Sequence, residues 1–241
     1  ARLTRSKALT GTTALLIVLV AGYTMLTLGV QGQKAQAASL SAPLSLLATF
    51  DLNPLAMFLA IVSLGLTAVV ALYSIGYMQQ HNIGKYYALL LMMTGGMVGI
   101  ALSADLFNLF VMFEIMSLAS FALVAFEDEW EPVVAGVKYL ILSAMGSMIA
   151  LFGIVLVFTW TGELSLAALK SSGAMPADLA LVVAAMFVAG FGVKAAIVPM
   201  HTWLPEAHSE APSPVSALLS GALLPCAFLA ILRVYHICAA A

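Results

Sequence analysis

Three charged side chains lie inside long apolar runs of this 241-residue sequence, namely Glu114, Lys138 and Lys194. A charge near the middle of a bilayer costs about 2.5–3.5 kcal/mol or more, so it persists where it is paired, hydrated or functional. Glu114 has no other charge in its run, 106–126, and lies roughly 14 Å along a helix from Asp105. Apolar surroundings disfavour its charge whereas a lysine partner favours it, so this carboxyl can exchange protons near neutral pH. The alternative is a buried glutamate that only ties helices together.

The residues after Lys194 predict a broken helix. Four of the nine prolines fall within 199–214, PMHTWLPEAHSEAPSP, and a helix cannot continue intact through them. Discontinuous helices that expose backbone inside a membrane are typical of transporter ion sites, so Lys194 is predicted to face a hydrated interior. The alternative is a proline-rich surface loop, with Lys194 snorkelling to the interface. The prolines are Pro199, Pro205, Pro212 and Pro214.

Other polar residues give weaker signals. Lys138 lies about one turn inside its run, where snorkelling explains it as well as proton relay does. His201 is a candidate proton carrier because imidazole titrates near neutral pH. The spacing of His201, Glu206, His208 and Glu210 is not the His-Glu-x-x-His of a zinc site, so no metal is predicted. The sequence shows no nucleotide-binding, haem or serine-hydrolase motif either, so no cofactor is predicted.

The composition determines the class of protein that must position these residues. Hydrophobic residues make up 63% of the sequence and charged residues 8%, against about 25% charged in soluble domains. This composition excludes a soluble enzyme and a disordered chain. The net charge of −2 offers no basic surface, so no nucleic-acid partner is predicted. The sequence is therefore that of an integral, multi-pass membrane protein.

Seven apolar runs approach the length of about 20 residues that a transmembrane helix requires. They are 9–30, 54–78, 86–103, 105–126, 134–160, 179–198 and 212–238. Gly95 with Gly99, and Ser143 with Ser147, form small-xxx-small steps that favour close packing of helices. The predicted fold is an all-α, polytopic transmembrane bundle of about seven to eight spans, with one broken helix near 199–214.

Residues 1–53 are predicted to form an N-terminal span and an outside loop, and residues 54–241 the main bundle. Arg2, Arg5 and Lys7 precede the first run and place that end in the cytoplasm by the positive-inside rule. The same basic start, followed by Ala-Gln-Ala at 35–37, also resembles a signal peptide with its cleavage site. The apolar run exceeds the usual length of about 7–15 residues, so a true span is favoured.

Three segments carry a resemblance to a known family. They are LFNLFVMFEIMSLASFALVAF (106–126), AGVKYLILSAMGS (135–147) and GFGVKAAIVPMHTWLPEAHSEAPSPVSALLSG (190–221). They resemble the proton-translocating, antiporter-like membrane subunits shared by respiratory complex I, energy-converting hydrogenases, formate hydrogenlyases and Mrp-type Na+/H+ antiporters. The resemblance covers about residues 54–238, and segments 85–103 and 220–237 look closest to the hydrogenase-type branch.

The resemblance implies a mechanism in which a glutamate on one helix pairs with a lysine on a broken helix. Their changing interaction drives protons along a hydrated axis. By motif position, Glu114 matches that glutamate and Lys194 that lysine. Lys138 matches a lysine seen near the start of the next helix in parts of the family, and His201 and His208 lie in the broken-helix motif. These five residues form the predicted proton relay.

The sequence departs from the family pattern in two respects. Family members usually have about fourteen helices in two inverted repeats, whereas this sequence matches the first repeat only. A split subunit, a piece of a longer subunit and a reduced relative all fit that observation. Pro225 stands eight positions before Arg233, where relatives often carry Lys, His or Asn. Proline carries no proton, so the central relay is predicted to be interrupted there unless water bridges it.

The favoured interpretation is a proton-translocating, cofactor-free membrane subunit of a multisubunit redox-driven pump. It would work beside other membrane subunits and peripheral redox subunits, in a prokaryotic cytoplasmic membrane. The first alternative is a subunit of a cation/proton antiporter that moves Na+ as well as H+. The second is a non-conducting structural subunit, favoured by Pro225 and the missing repeat. The buried charges Glu114 and Lys194 count against the structural subunit.

Overall fold

The computed structural model describes residues 2–35, 50–78, 82–127, 129–172 and 175–239. Within these residues, seven helical segments are long and apolar enough to cross a membrane. This confirms the all-α class and the seven predicted spans. The span ends differ from the predicted ones by at most four residues, as at the fifth span, which begins at Trp130 rather than 134. The helices are α1 (Arg2–Ala35), α2 (Pro54–Tyr77), α3 (Ile83–Leu102), α4 (Leu106–Val124), α5 (Trp130–Thr161), α6 (Leu166–Ser172), α7 (Ala177–Lys194), α8 (Leu204–Glu210), α9 (Ser213–Leu218) and α10 (Leu224–Cys238).

Polar caps fix the starts of two central helices. The Asn53 side chain accepts a hydrogen bond from the backbone N–H of Ala56 at 2.8 Å, at the start of α2. Asp105 caps α4 in the same way, accepting from the backbone N–H of Asn108 at 2.7 Å. Such caps satisfy N–H groups that have no partner within the helix. The Asp105 cap defines where α4, the helix that carries Glu114, begins.

The predicted broken helix is present. α7 ends at Lys194, and the chain becomes helical across the membrane again only with α9. Pro205 and Pro214 lie in the first turns of α8 and α9, where a missing N–H is tolerated, and Pro212 is the N-cap of α9. Pro199 is preceded by a cis peptide bond. Each of the four prolines thus lies at a bend or a helix start.

A π-helical turn, Leu219–Leu223, joins α9 to α10 and ends two residues before Pro225. In an α-helix a proline ring clashes with the carbonyl four residues earlier. Proline also has no backbone N–H to donate to that carbonyl. A π turn is wider and shifts that hydrogen-bond pattern by one residue. The helical path therefore continues through Pro225 to Cys238.

Glycines set the closest contact between α3 and α4. A Cβ at Gly96 would lie 2.6 Å from the backbone nitrogen of Met116, and one at Gly99 would lie 2.5 Å from the sulfur of Met112. Gly95 has open space instead, with no atom within 4 Å of its Cβ position. The prediction that Gly95 and Gly99 both pack against a neighbouring helix is therefore wrong for Gly95. Gly96 faces α4 in its place.

Gly96→Ala is expected to destabilise the protein by about 1–3 kcal/mol, because the new methyl group meets backbone atoms that cannot move aside. The matched control is Gly95→Ala, which adds the same methyl group one residue earlier and gains helix propensity of up to about 1 kcal/mol. Thermal unfolding of the purified protein in detergent measures both. Equal midpoints for the two variants would contradict the helix contact described here.

α5 and α7 also approach each other at glycines. A Cβ at Gly190 would lie 2.7 Å from the backbone oxygen of Gly146, and one at Gly146 would lie 2.7 Å from that of Gly190. Gly146 lies between Ser143 and Ser147 on α5. This close backbone contact therefore brings the two serines to the helix that ends at Lys194.

α1 packs on α2 at Gly11, where a Cβ would lie 2.6 Å from a side-chain carbon of Ile75. Residues 36–49, which hold most of the predicted outside loop and part of the Ala-Gln-Ala sequence, lie outside the described residues. So do the side chains of Arg2, Arg5 and Lys7. The boundary between an N-terminal part (1–53) and the main bundle (54–241) stays a prediction. So does the placement of the N-terminal end in the cytoplasm.

Candidate proton-transfer site

Lys194 is the last residue of α7, and the chain turns away directly after it. The backbone N–H of Ile197 donates to Gly192 O at 2.9 Å, and that of Ala196 to Val193 O at 3.2 Å. This is the Schellman pattern of a helix end. Ala196 has φ +52°, a left-handed conformation that glycine usually supplies. The lysine is therefore held at the negative end of a helix dipole.

Two hydroxyls and two aromatic rings surround the Lys194 ammonium, and we call this set the lysine cage. The side chain is buried, with 1% of the residue exposed. Its Nζ donates to Ser120 Oγ at 3.3 Å and to Ser143 Oγ at 3.4 Å. It also lies 4.3 Å from the ring centre of Phe121 and 4.2 Å from that of Tyr139. Aromatic faces attract a cation, so the cage replaces part of the lost hydration without a carboxylate.

Glu114 lies near the middle of α4 and is half-buried. Its Oε1 accepts a hydrogen bond from the Ser147 hydroxyl of α5. Glu114 and Lys194, both described, form no direct ion pair. Ser147 contacts the carboxylate and Ser143, one helical turn earlier, contacts the ammonium. The two predicted residues are therefore linked by one face of α5.

Trp203 connects the segment that follows Lys194 to the end of α7 and to Tyr139 of α5. Its indole Nε1 donates to Val193 O at 2.6 Å, a second hydrogen bond to a carbonyl at the broken end of α7 that also accepts from the Ala196 N–H. Its ring stacks on that of Tyr139, with ring centres 3.9 Å apart and planes at 10°. Ser120 donates in turn to the Tyr139 hydroxyl at 3.1 Å. One wall of the lysine cage is thus held by the broken segment itself.

Lys138 lies outside the lysine cage. Its Nζ donates to both carboxylate oxygens of Glu206 on α8, at 2.7 and 2.8 Å. The two side chains are 53% and 48% exposed. This contact ties α8 to the start of α5. The structure does not bring Lys138 together with Glu114 and Lys194.

Because both partners are half-exposed, the Lys138–Glu206 pair is expected to contribute at most about 1 kcal/mol to stability. A double-mutant cycle with Lys138→Met and Glu206→Gln measures that coupling energy, and high salt should reduce it. A coupling of several kcal/mol would show that this pair, rather than the cage, holds α8 in place.

His201 and His208 are half-buried in the broken segment, and neither hydrogen-bonds to Glu114 or Lys194 among the described residues. His208 Nδ1 lies 2.5 Å from the Ser216 hydroxyl. His201 Nδ1 is buried with no hydrogen-bond partner within the described part of the chain. Their place in a relay stays a prediction. Over the same residues, no group of three or more His, Cys, Asp or Glu side chains could hold a metal ion.

The cage residues could not all be recognised in the sequence. Ser143 and Ser147 show a spacing of four, but this signal favoured helix packing. The structure adds that Ser143 accepts a hydrogen bond from Lys194 and that Ser147 donates one to Glu114. Phe121 and Tyr139 carry no signal, because aromatic residues in apolar runs are most often core. Trp203 stands within the broken-helix motif, but its spacing does not reveal its partner.

Comparison with known proteins agrees with this architecture. A family model described as "NADH:quinone oxidoreductase/Mrp antiporter, TM" matches residues 103–241, and one described as "NADH-Ubiquinone oxidoreductase (complex I), chain 5 N-terminus" matches residues 39–87. F(420)H(2) dehydrogenase subunit N of Methanosarcina mazei is 33% identical over 235 residues, which cover 96% of this chain and 46% of that protein. Hydrogenase-4 component B of Escherichia coli is 31% identical over 234 residues, covering 91% of this chain and 34% of that protein.

Respiratory complex I from Thermus thermophilus contains a chain with the same fold, at a TM-score of 0.76 and 22% identity, covering 97% of this chain and 51% of that one. The sequence spans less than half of both curated relatives. Relatives from both dehydrogenases and hydrogenases match, so the closer branch stays a prediction. Because the first family model covers more than half of the sequence, this chain belongs to the antiporter-like membrane subunit family of NADH:quinone oxidoreductases and Mrp antiporters.

Proposed function

We propose that this chain moves protons as a membrane subunit of a multisubunit, redox-driven pump. The observation that carries this proposal is the buried Lys194, which is held by hydroxyls and rings with no carboxylate in direct contact. If Lys194 served only to join helices, a directly paired carboxylate would make the fold more stable, because an unpaired buried charge destabilises a fold. A lysine that takes and releases a proton needs a site that tolerates both of its forms.

Glu114 supplies the electrostatic control of that proton. When the carboxylate is charged, it favours the ammonium form of Lys194, and when it is protonated this support is lost. The two groups lie on different helices and are linked through α5, so a small movement of α7 changes their interaction. The broken segment after Lys194 provides backbone and polar groups along which a released proton can move.

The names of the relatives favour a redox-driven complex over other possibilities. Two of the similar proteins are a dehydrogenase subunit and a hydrogenase component, and one similar fold belongs to a respiratory complex. By this analogy the partners are other membrane subunits and peripheral redox subunits that hold the redox cofactors. The location is then a prokaryotic cytoplasmic membrane.

A cation/proton antiporter subunit is the second candidate, because the matching family model also describes Mrp antiporters. The Glu114–Lys194 arrangement serves both functions equally. A purely structural subunit is disfavoured, because such a subunit has no use for the lysine cage. Pro225 supplies no proton carrier at its position, so onward transfer there relies on water.

The test is to isolate the native complex through this chain, identify its subunits by mass spectrometry, and reconstitute it into liposomes containing a pH-sensitive dye. Turnover with the substrate of the identified redox subunits is expected to change the internal pH, without dependence on Na+ or K+. Exchange of Na+ or K+ for protons in the absence of redox subunits would instead support the antiporter. Redox turnover without any proton movement would contradict the proposal.

A further inference from the structure

We propose that Ser143 and Ser147 carry the proton between Lys194 and Glu114 along one turn of α5. This inference rests on the proposed function and adds a specific route to it. Ser143 Oγ accepts from the Lys194 ammonium at 3.4 Å, and the Ser147 hydroxyl donates to the Glu114 carboxylate. The two ends of the route are therefore in hydrogen-bond contact with the two ionisable groups.

The spacing of the serines fits a route with one water molecule. Residues four apart lie on the same face of a helix and differ by about 6 Å in height. An O–H···O hydrogen bond is about 2.7–2.8 Å long, so two of them joined at one water reach about 5.5 Å at most, close to that height. Both serines are buried, with 3% and 2% of the residue exposed. The route requires one water between the two hydroxyls, and polar partners of this kind are what generally hold buried waters.

The transfer is balanced in protons and charge. An N–H bond of the Lys194 ammonium breaks as an O–H bond forms on Ser143, whose own proton passes to the water. The water passes a proton to Ser147, and the Ser147 proton moves to the Glu114 carboxylate. The charged pair becomes a neutral amine and a neutral carboxylic acid, and each serine and the water end as they began. Losing both charges at once removes the desolvation penalty of the buried ammonium and lowers that of the half-buried carboxylate.

The other hydroxyls of the region do not offer this route. Ser120 also contacts Lys194, but it leads to the Tyr139 hydroxyl rather than to a carboxylate. Ser117 lies on the same helix as Glu114 and is equally buried, yet its hydroxyl donates to the Phe113 carbonyl of its own helix at 2.7 Å. Ser117 is therefore a matched control, because its replacement removes a buried hydroxyl without touching the route.

The test measures proton uptake per assembled complex in liposomes for Ser147→Ala, for Ser143→Ala with Ser147→Ala, and for Ser117→Ala. We expect uptake to fall about a hundredfold in the single variant and by the same factor in the double, because two residues of one route have non-additive effects. Ser117→Ala is expected to leave uptake unchanged. Ser147→Cys, which keeps the volume but replaces the hydroxyl by a poor hydrogen-bonding thiol, serves the same purpose if the alanine variant fails to assemble. Ser147→Thr keeps a hydroxyl and is expected to retain uptake.

Infrared difference spectroscopy of the working complex provides a second readout. The carbonyl stretch of protonated Glu114 is expected to appear during turnover, and to move to higher frequency in Ser147→Ala because its hydrogen-bond donor is gone. If the double serine variant takes up protons as fast as Ser117→Ala while Glu114→Gln takes up none, the serine route is wrong and the proposed function stands. If Glu114→Gln also takes up protons normally, the proposed function itself fails.

Discussion

Replacing Lys194 by methionine is expected to abolish proton uptake while leaving the subunit at least as stable as before. Methionine carries no titratable proton, so the transfer has no donor. Its unbranched apolar side chain suits a site walled by Phe121 and Tyr139. The substitution also removes the desolvation cost of a buried ammonium, and it leaves no carboxylate that was in direct contact with it. Proton uptake in liposomes and thermal unfolding in detergent measure the two effects.

Lys138→Met is the matched control for that experiment, since it makes the same change at the half-exposed lysine that pairs with Glu206. It is expected to leave proton uptake close to that of the unmodified protein. If Lys194→Met lowers the unfolding midpoint strongly and Lys138→Met removes uptake, the roles assigned to the two lysines are reversed.

The second large effect is expected for Glu114→Gln, which should reduce proton uptake to the background of liposomes without the complex. Glutamine keeps the shape of the side chain and can still accept the hydrogen bond from Ser147, so assembly is expected to be normal. The amide takes up no proton and no longer supports the charge of Lys194. Uptake is measured per assembled complex, after the subunit content has been checked by native gel.

The exposed Glu131, in the first turn of α5, provides the control for the same chemical change. Glu131→Gln removes one negative charge near a helix N-terminus, a change of about 0.3–1 kcal/mol in stability. It is expected to leave proton uptake intact. Normal uptake in Glu114→Gln would show that the Glu114 carboxylate has no part in transfer.

The ionisable residues of the site could be predicted from the sequence because charges are rare in this chain. Glu114 is isolated in its apolar run, and four prolines follow Lys194 closely enough to end the helix there. These signals depend only on local sequence. The same holds for the span positions, since the length and hydropathy of each run set them.

The contacts within the site could not be predicted in the same way. The membrane helices are apolar on nearly all faces, so their sequences do not show which face meets a neighbour. Gly95 and Gly96 illustrate this point, because the two glycines are adjacent and only Gly96 meets α4. The Lys138–Glu206 pair joins residues that are far apart in the chain. Its formation depends on the path of the broken segment, which local patterns do not specify.

The central claim is that Glu114 and Lys194 act in one proton relay, and the most direct measurement is the number of protons moved per electron pair by the reconstituted complex. The comparison includes Glu114→Gln, Lys194→Met and the double variant. We predict the same loss in all three, because two residues of one relay have non-additive effects. Losses that add, with each single variant keeping a substantial share of the proton uptake, would contradict a single relay through these two residues.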